Sequence, residues 1–281
     1  MEEKYFLVNG ASVLLRDTVQ ILKNHEVEYL ILGGWSPYLL NKGEFGHPGT
    51  KDVDILLRSA RSPGEIEVLI QAFIDNGFMQ SAKHPFQLLK NIHIGGHEFV
   101  FNVDLLHPTY FGEEGEMFVD HLVFPIHESE SMMMQYCGAT IKVPNSDIFF
   151  DECTYDYEGI LKDHNGHEFE INFKLLSSAG LIISKLESIY LKKRQRDAYD
   201  IYLALVQSSD YYSIVSDVKS IIEKHPAVME TIEKLVEDSS LKIIVKNIHF
   251  WANQLGHCMP EENIIETFKK FVSEVSSDTH L

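Results

Sequence analysis

The spacing of apolar residues changes several times along the first 110 positions, and each change predicts an element. Positions 11–27 repeat their apolar residues at helical intervals, which predicts an amphipathic helix. Positions 28–34 and 52–59 are short apolar runs that predict strands, and positions 36–43 predict a helix with Ser36 as its cap. Positions 86–106 hold two more strand-like runs joined by Gly95-Gly96, a strong hairpin signal. This part therefore predicts mixed helix and strand.

The pattern changes again in the second half of the chain. Residues 111–173 are rich in turn formers and contain short strand candidates. From Lys174 onward the apolar residues recur at helical intervals in five segments, which predicts amphipathic helices almost throughout. We therefore expect an α+β fold, in which a mixed-sheet core over residues 1–130 is followed by a strand-rich connection over 131–173 and an all-helical domain over 174–281.

Net charge and composition limit the classes of function that this protein can have. The chain has 281 residues, and its 24 basic and 42 acidic residues give a net charge of −18. Proteins that bind nucleic acid non-specifically normally carry the opposite sign, so only a local basic patch would contact RNA. No apolar run is long enough to span a membrane, the start lacks the order of a signal peptide, and three scattered cysteines disfavour a disulfide framework. We expect a cytoplasmic protein that contacts no membrane.

Three aspartates are the strongest candidates for chemistry. Asp52 and Asp54 are two positions apart in a predicted strand, so they point to the same side and repel each other unless a cation lies between them. Asp104 lies on the second arm of the predicted hairpin. If the strands are neighbours, the three carboxylates meet, and oxygen ligands of this kind suit Mg²⁺ or Mn²⁺. Two such ions would clamp an in-line phosphoryl displacement.

A glycine pair stands between the first predicted strand and the helix that follows it. Glycines at such a junction let the backbone approach a phosphate, and the helix N-terminus favours its negative charge. Gly33 and Gly34, together with the three aspartates in this order, form a moderately specific pattern.

These motifs resemble the polymerase-beta type of nucleotidyltransferase fold. The later segment, residues 175–205, is similar to the signature helices of AbiEii-type nucleotidyltransferases, which are bacterial toxin-like enzymes. The resemblance implies that Asp52 and Asp54 bind metal and that Asp104 helps to activate the attacking hydroxyl. It implies further roles in nucleotide binding for Gly33, Gly34, Ser36, Thr50 and Lys185, and an acidic role in the final motif for Asp197 and Asp200.

The resemblance also implies an arrangement of the helical domain. Lys185 is expected to contact nucleotide phosphate in a cleft between the two domains, with Asp197 holding it in place. Lys192 and Lys193 follow Lys185 by two helical turns, so we expect them on the same helix face.

The activity implied by the resemblance is transfer of a nucleoside monophosphate from an NTP to an acceptor hydroxyl. The acceptor would be RNA, two Mg²⁺ or Mn²⁺ ions would assist, and an antitoxin-like protein would be a partner. Two alternatives stay open. The acidic charge favours a small-molecule acceptor, as in antibiotic nucleotidyltransferases. A relative that binds a nucleotide or protein without catalysis is favoured by Pro48 and Trp35, which replace an arginine and a small hydroxyl residue of the family pattern.

Overall fold

A computed structural model describes residues 2–41, 43–58, 63–108, 119–129, 132–143, 146–207 and 210–277. The chain forms two compact units, one made of Met1–Gly33 and Thr50–Leu175, the other of Gly34–Gly49 and Leu176–Leu281. The chain therefore leaves the first unit after Gly33, contributes sixteen residues to the second, and returns at Thr50. No helix in the described ranges is both long and apolar enough to cross a lipid bilayer.

The elements follow one another in mixed order before the helices take over. The strands are β1 (Tyr29–Ile31), β2 (Asp52–Leu57), β3 (Met79–Gln80), β4 (Gln87–Ile94), β5 (His97–Pro108), β6 (Val119–Ser129), β7 (Met132–Val143), β8 (Thr154–Lys162) and β9 (Glu168–Leu176). The helices are α1 (Glu2–Asn24), α2 (Trp35–Leu40), α3 (Pro63–Asp75), α4 (Ile148–Glu152), α5 (Ser178–Lys185), α6 (Arg196–Gln207), α7 (Tyr211–Lys224), α8 (Ala227–Glu233), α9 (Asp238–Gln254) and α10 (Glu261–Ser276). The predicted α+β fold with C-terminal helices is confirmed.

The first unit is built on a mixed sheet. Its strands lie in the order β3-β4-β5-β2-β1-β9-β8, while β7 pairs with the end of β5 and β6 pairs with β7. The β2–β5 and β1–β9 pairs are parallel, whereas β1–β2 and β4–β5 are antiparallel. The predicted hairpin is present, because Ile94 and His97 face each other on either side of the glycine pair.

Helix α1 packs closely against the hairpin of the first unit. A Cβ added at Gly10 would lie 2.5 Å from the ring of Phe101 and 2.6 Å from the end of Ile94. Glycine inside a helix costs about 0.5–1 kcal/mol relative to alanine, so this position is occupied by glycine because the helix must approach the strands closely. Leu14 and Leu22 of the same helix are fully buried.

The second unit consists of helices, with α6 as its most buried element. Most residues of α6 are buried, including the polar Asp197, Asp200 and Gln207. A helix that is buried nearly all round needs partners for such side chains, and the unit supplies them from α5 and from the segment that precedes Thr50.

Helix α2 begins earlier than the sequence predicted. Gly34 is its N-cap residue and no side chain caps it, so the prediction that Ser36 is the cap is wrong. Ser36 lies inside the helix, fully buried, and its hydroxyl donates to the carbonyl of Leu176 at 2.6 Å. The serine is therefore used to satisfy the last carbonyl of a strand, a partner that local sequence cannot reveal.

The long helix predicted after Lys174 is also wrong. Strand β9 continues to Leu176, and α5 ends at Lys185. A short 3-10 turn and a loop then follow, so Lys192 and Lys193 do not lie on a helix with Lys185. The apolar run crosses a strand–helix boundary without a break, and Ser177, which accepts a hydrogen bond from the Gly180 amide at 3.2 Å, marks that boundary.

Candidate functional site

Two neighbouring strands of the first unit bring the predicted aspartates to one face of the sheet. In the parallel β2–β5 pair, Asp54 lies opposite Asp104, and Asp52 lies opposite Asn102. Side chains alternate along each strand, so all four polar side chains share one face. Val53 and Val103 point to the other face, where both are fully buried. The apolar positions of the two strands thus fix the direction of the carboxylates.

Two uncharged side chains orient carboxylates in this group, which we call the carboxylate face (Asp52, Asp54 and Asp104). The hydroxyl of Thr50 donates to Oδ1 of Asp52 at 2.6 Å, and the amide of Asn102 donates to Oδ1 of Asp104 at 2.9 Å. Each bond fixes the direction of one carboxylate oxygen. Thr50 was predicted to bind nucleotide, whereas Asn102 had no predicted role.

Gly33 lies directly beneath Asp54. It adopts φ +67°, in the left-handed region that favours glycine, and a Cβ at this position would be 1.9 Å from Oδ2 of Asp54. The Leu32 amide donates to the Asp54 carbonyl at 3.0 Å, which fixes the end of β1 beside β2. Neither the backbone conformation nor the space allows a larger residue here. The first glycine of the predicted pair is therefore required by the carboxylate face itself.

The surroundings of the carboxylate face disfavour the ionised form of Asp104. Burial raises the pKa of Asp104, and the neighbouring charge of Asp52 raises it further, although the hydrogen bond from Asn102 opposes the change. Repulsion between the like charges of Asp52 and Asp104 acts in the same direction as burial. Burial is nevertheless the larger cause, which the sequence pattern did not indicate.

The residues of the carboxylate face fit a hard divalent cation that is shared with a substrate. In the part of the chain that the structure describes, no three His, Cys, Asp or Glu side chains are close enough to hold a metal ion by themselves. Mg²⁺ commonly takes only one or two carboxylates and completes its coordination with water and substrate phosphates. Asp54 and Asp104, side by side and half-exposed, match that mode of binding.

The second unit contains a separate network of buried charges. The ammonium of Lys185 lies 2.5 Å from Oδ1 of Asp197 and 3.0 Å from Oδ2 of Asp200. The guanidinium of Arg196 lies 3.4 Å from the same Asp200 oxygen, and the hydroxyl of Ser188 donates to Asp197 at 2.6 Å. Two cations thus balance two carboxylates.

In this network, the attraction between opposite charges outweighs the cost of burying them. Burial alone would raise the pKa of Asp200, but Lys185, His47 and Arg196 together lower it well below its usual range. Burial would lower the pKa of Lys185, but Asp200 and Asp197 raise it. The structure thus brings Lys185 and Asp197 together, as expected. The contact of Lys185 with phosphate stays a prediction, because here its ammonium is held by the two carboxylates.

His47 belongs to this network, although the sequence pattern predicted no role for it. Its Nε2 lies 3.1 Å from Oδ1 of Asp200, and the amide of Gly49 donates to its Nδ1 at 3.0 Å. Since Nδ1 accepts a hydrogen bond, the proton is on Nε2, which donates to the carboxylate. Burial lowers the pKa of His47 by more than Asp200 raises it, and the ring is therefore neutral.

Side chains of α6 form hydrogen bonds with the backbone of residues 43–49, the segment before Thr50. Gln207 donates to the Phe45 carbonyl at 2.9 Å and accepts from the Phe45 amide at 2.6 Å. Tyr199 donates to the Gly46 carbonyl at 2.9 Å, and Arg196 donates to the Gly49 carbonyl at 3.1 Å. The only sign in the sequence is a series of polar residues spaced by helical turns in an apolar helix. Trp35, which replaces a hydroxyl residue of the family pattern, is fully buried in this unit and packs edge-on against Tyr38.

Comparison with known proteins adds one structural likeness. No protein-family model matches the chain, and no curated protein matches its sequence. The structure is similar to that of an antigenic nucleotidyltransferase-like protein from Paracoccidioides brasiliensis, with 14% sequence identity and a TM-score of 0.34. The match covers 80% of this chain and 91% of the other. A likeness at this level carries no argument about function, so the function must rest on the site.

Proposed function

We propose that this protein is a metal-dependent nucleotidyltransferase that moves a nucleoside monophosphate from an NTP to an acceptor hydroxyl. The observation that carries the proposal is the geometry of the carboxylate face. Asp54 and Asp104 lie opposite each other on parallel strands, Asp52 shares their side, and bare backbone at Gly33 lies under Asp54. Paired carboxylates beside a glycine turn suit a cation that carries a triphosphate.

The residues divide the chemistry between them. Asp52, Asp54 and Asp104 would hold Mg²⁺ or Mn²⁺ together with the triphosphate, and the bound ions would offset the charge that develops on the triphosphate. Asp104 takes the proton of the acceptor hydroxyl, a task for which a raised pKa makes a carboxylate a better base. The acceptor oxygen then bonds to the α-phosphorus, the bond to the β-phosphate oxygen breaks, and pyrophosphate leaves.

RNA is the acceptor that we propose, in keeping with the AbiEii-type resemblance, and an antitoxin-like partner belongs to the same proposal. The supporting observation is an exposed basic turn of Lys192, Lys193 and Arg194 just before α6. Among the described residues, none of these three side chains has an ion-pair partner, whereas the exposed Arg58 is paired with two carboxylates. In a chain of charge −18, such a turn is the local patch that a polyanion requires.

A labelling experiment tests the activity. The purified protein is incubated with each α-labelled NTP, Mg²⁺ and total RNA, and the fate of the label is followed. We expect label in RNA from at least one NTP, and none with Asp54→Asn. The matched control is Glu98→Gln, which removes a carboxylate from β5 near its hairpin end. Label in a small molecule would favour the antibiotic-type alternative, and NTP binding without transfer would favour the binding-only one.

The acceptor class has its own test. Reversing the charge of the basic turn with Lys193→Glu should weaken transfer to RNA and leave NTP affinity unchanged. Lys234→Glu, at another exposed lysine of the second unit, provides the control for net charge. Equal loss in both variants would argue against RNA contact through the turn.

A further inference from the structure

The carboxylate face has two sides along the sheet. The strands lie in the order β4-β5-β2-β1, so Asp104 on β5 lies between Asp54 on β2 and Gln87 on β4. Gly33 lies beside Asp54, on the side of β1. The proposed function places the triphosphate there, on bare backbone, which leaves the β4 side of Asp104 for the acceptor hydroxyl.

A hydrogen-bonded turn borders the β4 side. Residues 81–86, which we call the 81–86 turn, join β3 to β4. The Ser81 amide donates to the carbonyl of Gln87 at 3.0 Å, and the Gln87 amide donates to the carbonyl of His84 at 2.9 Å. The His84 amide donates to the hydroxyl of Ser81 at 3.1 Å. Both backbone polar groups of His84 therefore have partners in or next to the turn, which holds this residue in place.

The imidazole of His84 lies near Asp104. Burial raises the pKa of Asp104, while a hydrogen bond from the side chain of Gln87 and the positive charge of His84 act in the opposite direction. The His84 ring is half-buried, and its centroid lies 5.5 Å from that of Phe86. Its two nitrogens form no hydrogen bond within the described residues, and neither is closed off from solvent. Because at least one nitrogen of an imidazole carries a proton, His84 offers a free donor beside Asp104.

Lys83 adds a second basic side chain to the 81–86 turn. It is exposed and has no ion-pair partner in the described part of the chain. The nearby Lys90 of β4, by contrast, lies 2.7 Å from Asp17. In a chain of charge −18, an unpaired lysine next to a group of carboxylates favours a negatively charged part of a substrate. A cationic small-molecule acceptor would be repelled by the same lysine.

We propose that the 81–86 turn binds the phosphate that precedes the reacting hydroxyl of the acceptor, an inference that rests on the proposed nucleotidyl transfer. A nucleotide carries its reacting hydroxyl and its phosphate on the same ribose. When the hydroxyl lies at Asp104, the phosphate is therefore within reach of the neighbouring turn. An N–H of His84 donates to a phosphate oxygen, and the ammonium of Lys83, a point charge on a flexible stem, balances the negative charge. The acceptor is thus the end of an RNA chain or a free nucleotide.

The phosphate is tested with two acceptors that differ only in its charge. The full chain is assayed with Mg²⁺, a saturating NTP and two oligoribonucleotides of one sequence, whose last linkage is either a phosphodiester or an uncharged methylphosphonate. We expect kcat/KM to be at least about tenfold higher for the phosphodiester, mainly through a lower KM, because a hydrogen bond to a charged group is lost in the other. A nucleoside monophosphate is the third acceptor. A higher kcat/KM with it identifies a free nucleotide as the acceptor, and a lower one identifies the end of an RNA chain.

Variants of the 81–86 turn test the two side chains. His84→Phe keeps a ring against Phe86 and removes the donor, so most of the preference for the phosphodiester should be lost. His84→Gln keeps an N–H donor and should retain part of it. Lys83→Gln should also lower the preference, and none of these changes should alter the KM for NTP. The controls are His93→Phe, at the far end of β4, and Lys162→Gln on β8, which should keep the wild-type preference.

The outcomes separate this inference from the proposed function. If the wild-type protein transfers label to no acceptor, the proposed function is overturned and the role of the 81–86 turn with it. If transfer occurs equally well with the two oligonucleotides, or if the preference survives both His84→Phe and Lys83→Gln, only the role of the turn is overturned. Melting temperatures of all variants report folding, and Lys83→Gln keeps the test decisive if a His84 variant is unstable, because Lys83 is exposed.

Discussion

Replacing Gly33 by alanine is the sharpest test of the carboxylate face. The new Cβ would lie 1.9 Å from Oδ2 of Asp54, whereas real Cβ contacts stay beyond 3.0 Å. The carboxylate must therefore withdraw by about 1.1 Å, the difference between these two distances. A displacement of about 1 Å in a reacting group costs on the order of 10²-fold in rate. We expect Gly33→Ala to lower nucleotidyl transfer by about this factor.

The alanine also has a backbone cost, which a control can isolate. An L-residue in the left-handed region loses about 1–2 kcal/mol, and Gly33 has φ +67°. Gly95 has φ +57° in the β4–β5 turn, and a Cβ there would meet nothing within 4 Å. Gly95→Ala therefore shares the strain and lacks the collision. Gly33→Ala should lose at least as much stability in thermal unfolding as Gly95→Ala, and only Gly33→Ala should lose turnover.

The assay is steady-state release of pyrophosphate with saturating Mg²⁺, using whichever NTP supports transfer. Circular dichroism on the same samples shows that both variants are folded. If Gly33→Ala and Gly95→Ala turn over equally fast, the position of the Asp54 carboxylate does not govern the reaction. The assignment of the carboxylate face as the active site would then be refuted.

Three further predictions concern the metal and the buried charges. Millimolar Mg²⁺ should raise the melting temperature of the wild-type protein, by about 1.4 kcal/mol of stability at tenfold excess over Kd, and Asp54→Asn should remove the effect in the same thermal scan. Lys185→Met should cost about 3–5 kcal/mol in urea unfolding because it removes one of the two cations that balance Asp197 and Asp200, whereas Lys185→Met combined with Asp200→Leu should recover most of the loss. The pKa of His47 is lowered from 6.5 in the folded protein, so the unfolded chain takes up its proton first and stability should fall as pH drops below about 6.5. His47→Gln should remove that part of the pH dependence, and an unchanged profile would contradict it.

The period of the apolar residues was sufficient to predict the strands that matter most. Strand β2, the β4–β5 hairpin and the helical second half all lie where periodicity placed them, because each buries one clear apolar face. The predicted ends of elements were wrong where an apolar run continued from one element into the next. Strand β9 and helix α5 were predicted as one helix, since Leu175, Leu176 and Leu181 look alike to any periodic pattern.

The carboxylate face was predictable because its residues lie on strands, where spacing determines direction. The alternation of Asp52 and Asp54 determined their common side, and only the pairing with Asp104 had to be assumed. The network around Asp200 was not predictable in the same way. Arg196 and Asp200 are four residues apart, a spacing that pairs side chains on a helix, but His47 reaches Asp200 from 153 residues away, and no local pattern records that contact. The prediction that Ser36 caps α2 was wrong for the same reason, since the hydrogen-bond partner of Ser36 lies 140 residues away.

The two groups of carboxylates differ in how their burial is compensated, and this difference supports the site proposed above. In the second unit, Lys185 and Arg196 stabilise the ionised form of Asp200, so that its pKa falls despite complete burial. In the first unit the pKa of Asp104 rises, so its ionised form is still destabilised. A cation from outside gains little where the chain has already supplied one, and gains most where it has not. The proposal that a metal and a triphosphate bind at the carboxylate face is supported by this difference, since the ionised form of Asp104 is destabilised there and Gly33 leaves open backbone beside Asp54.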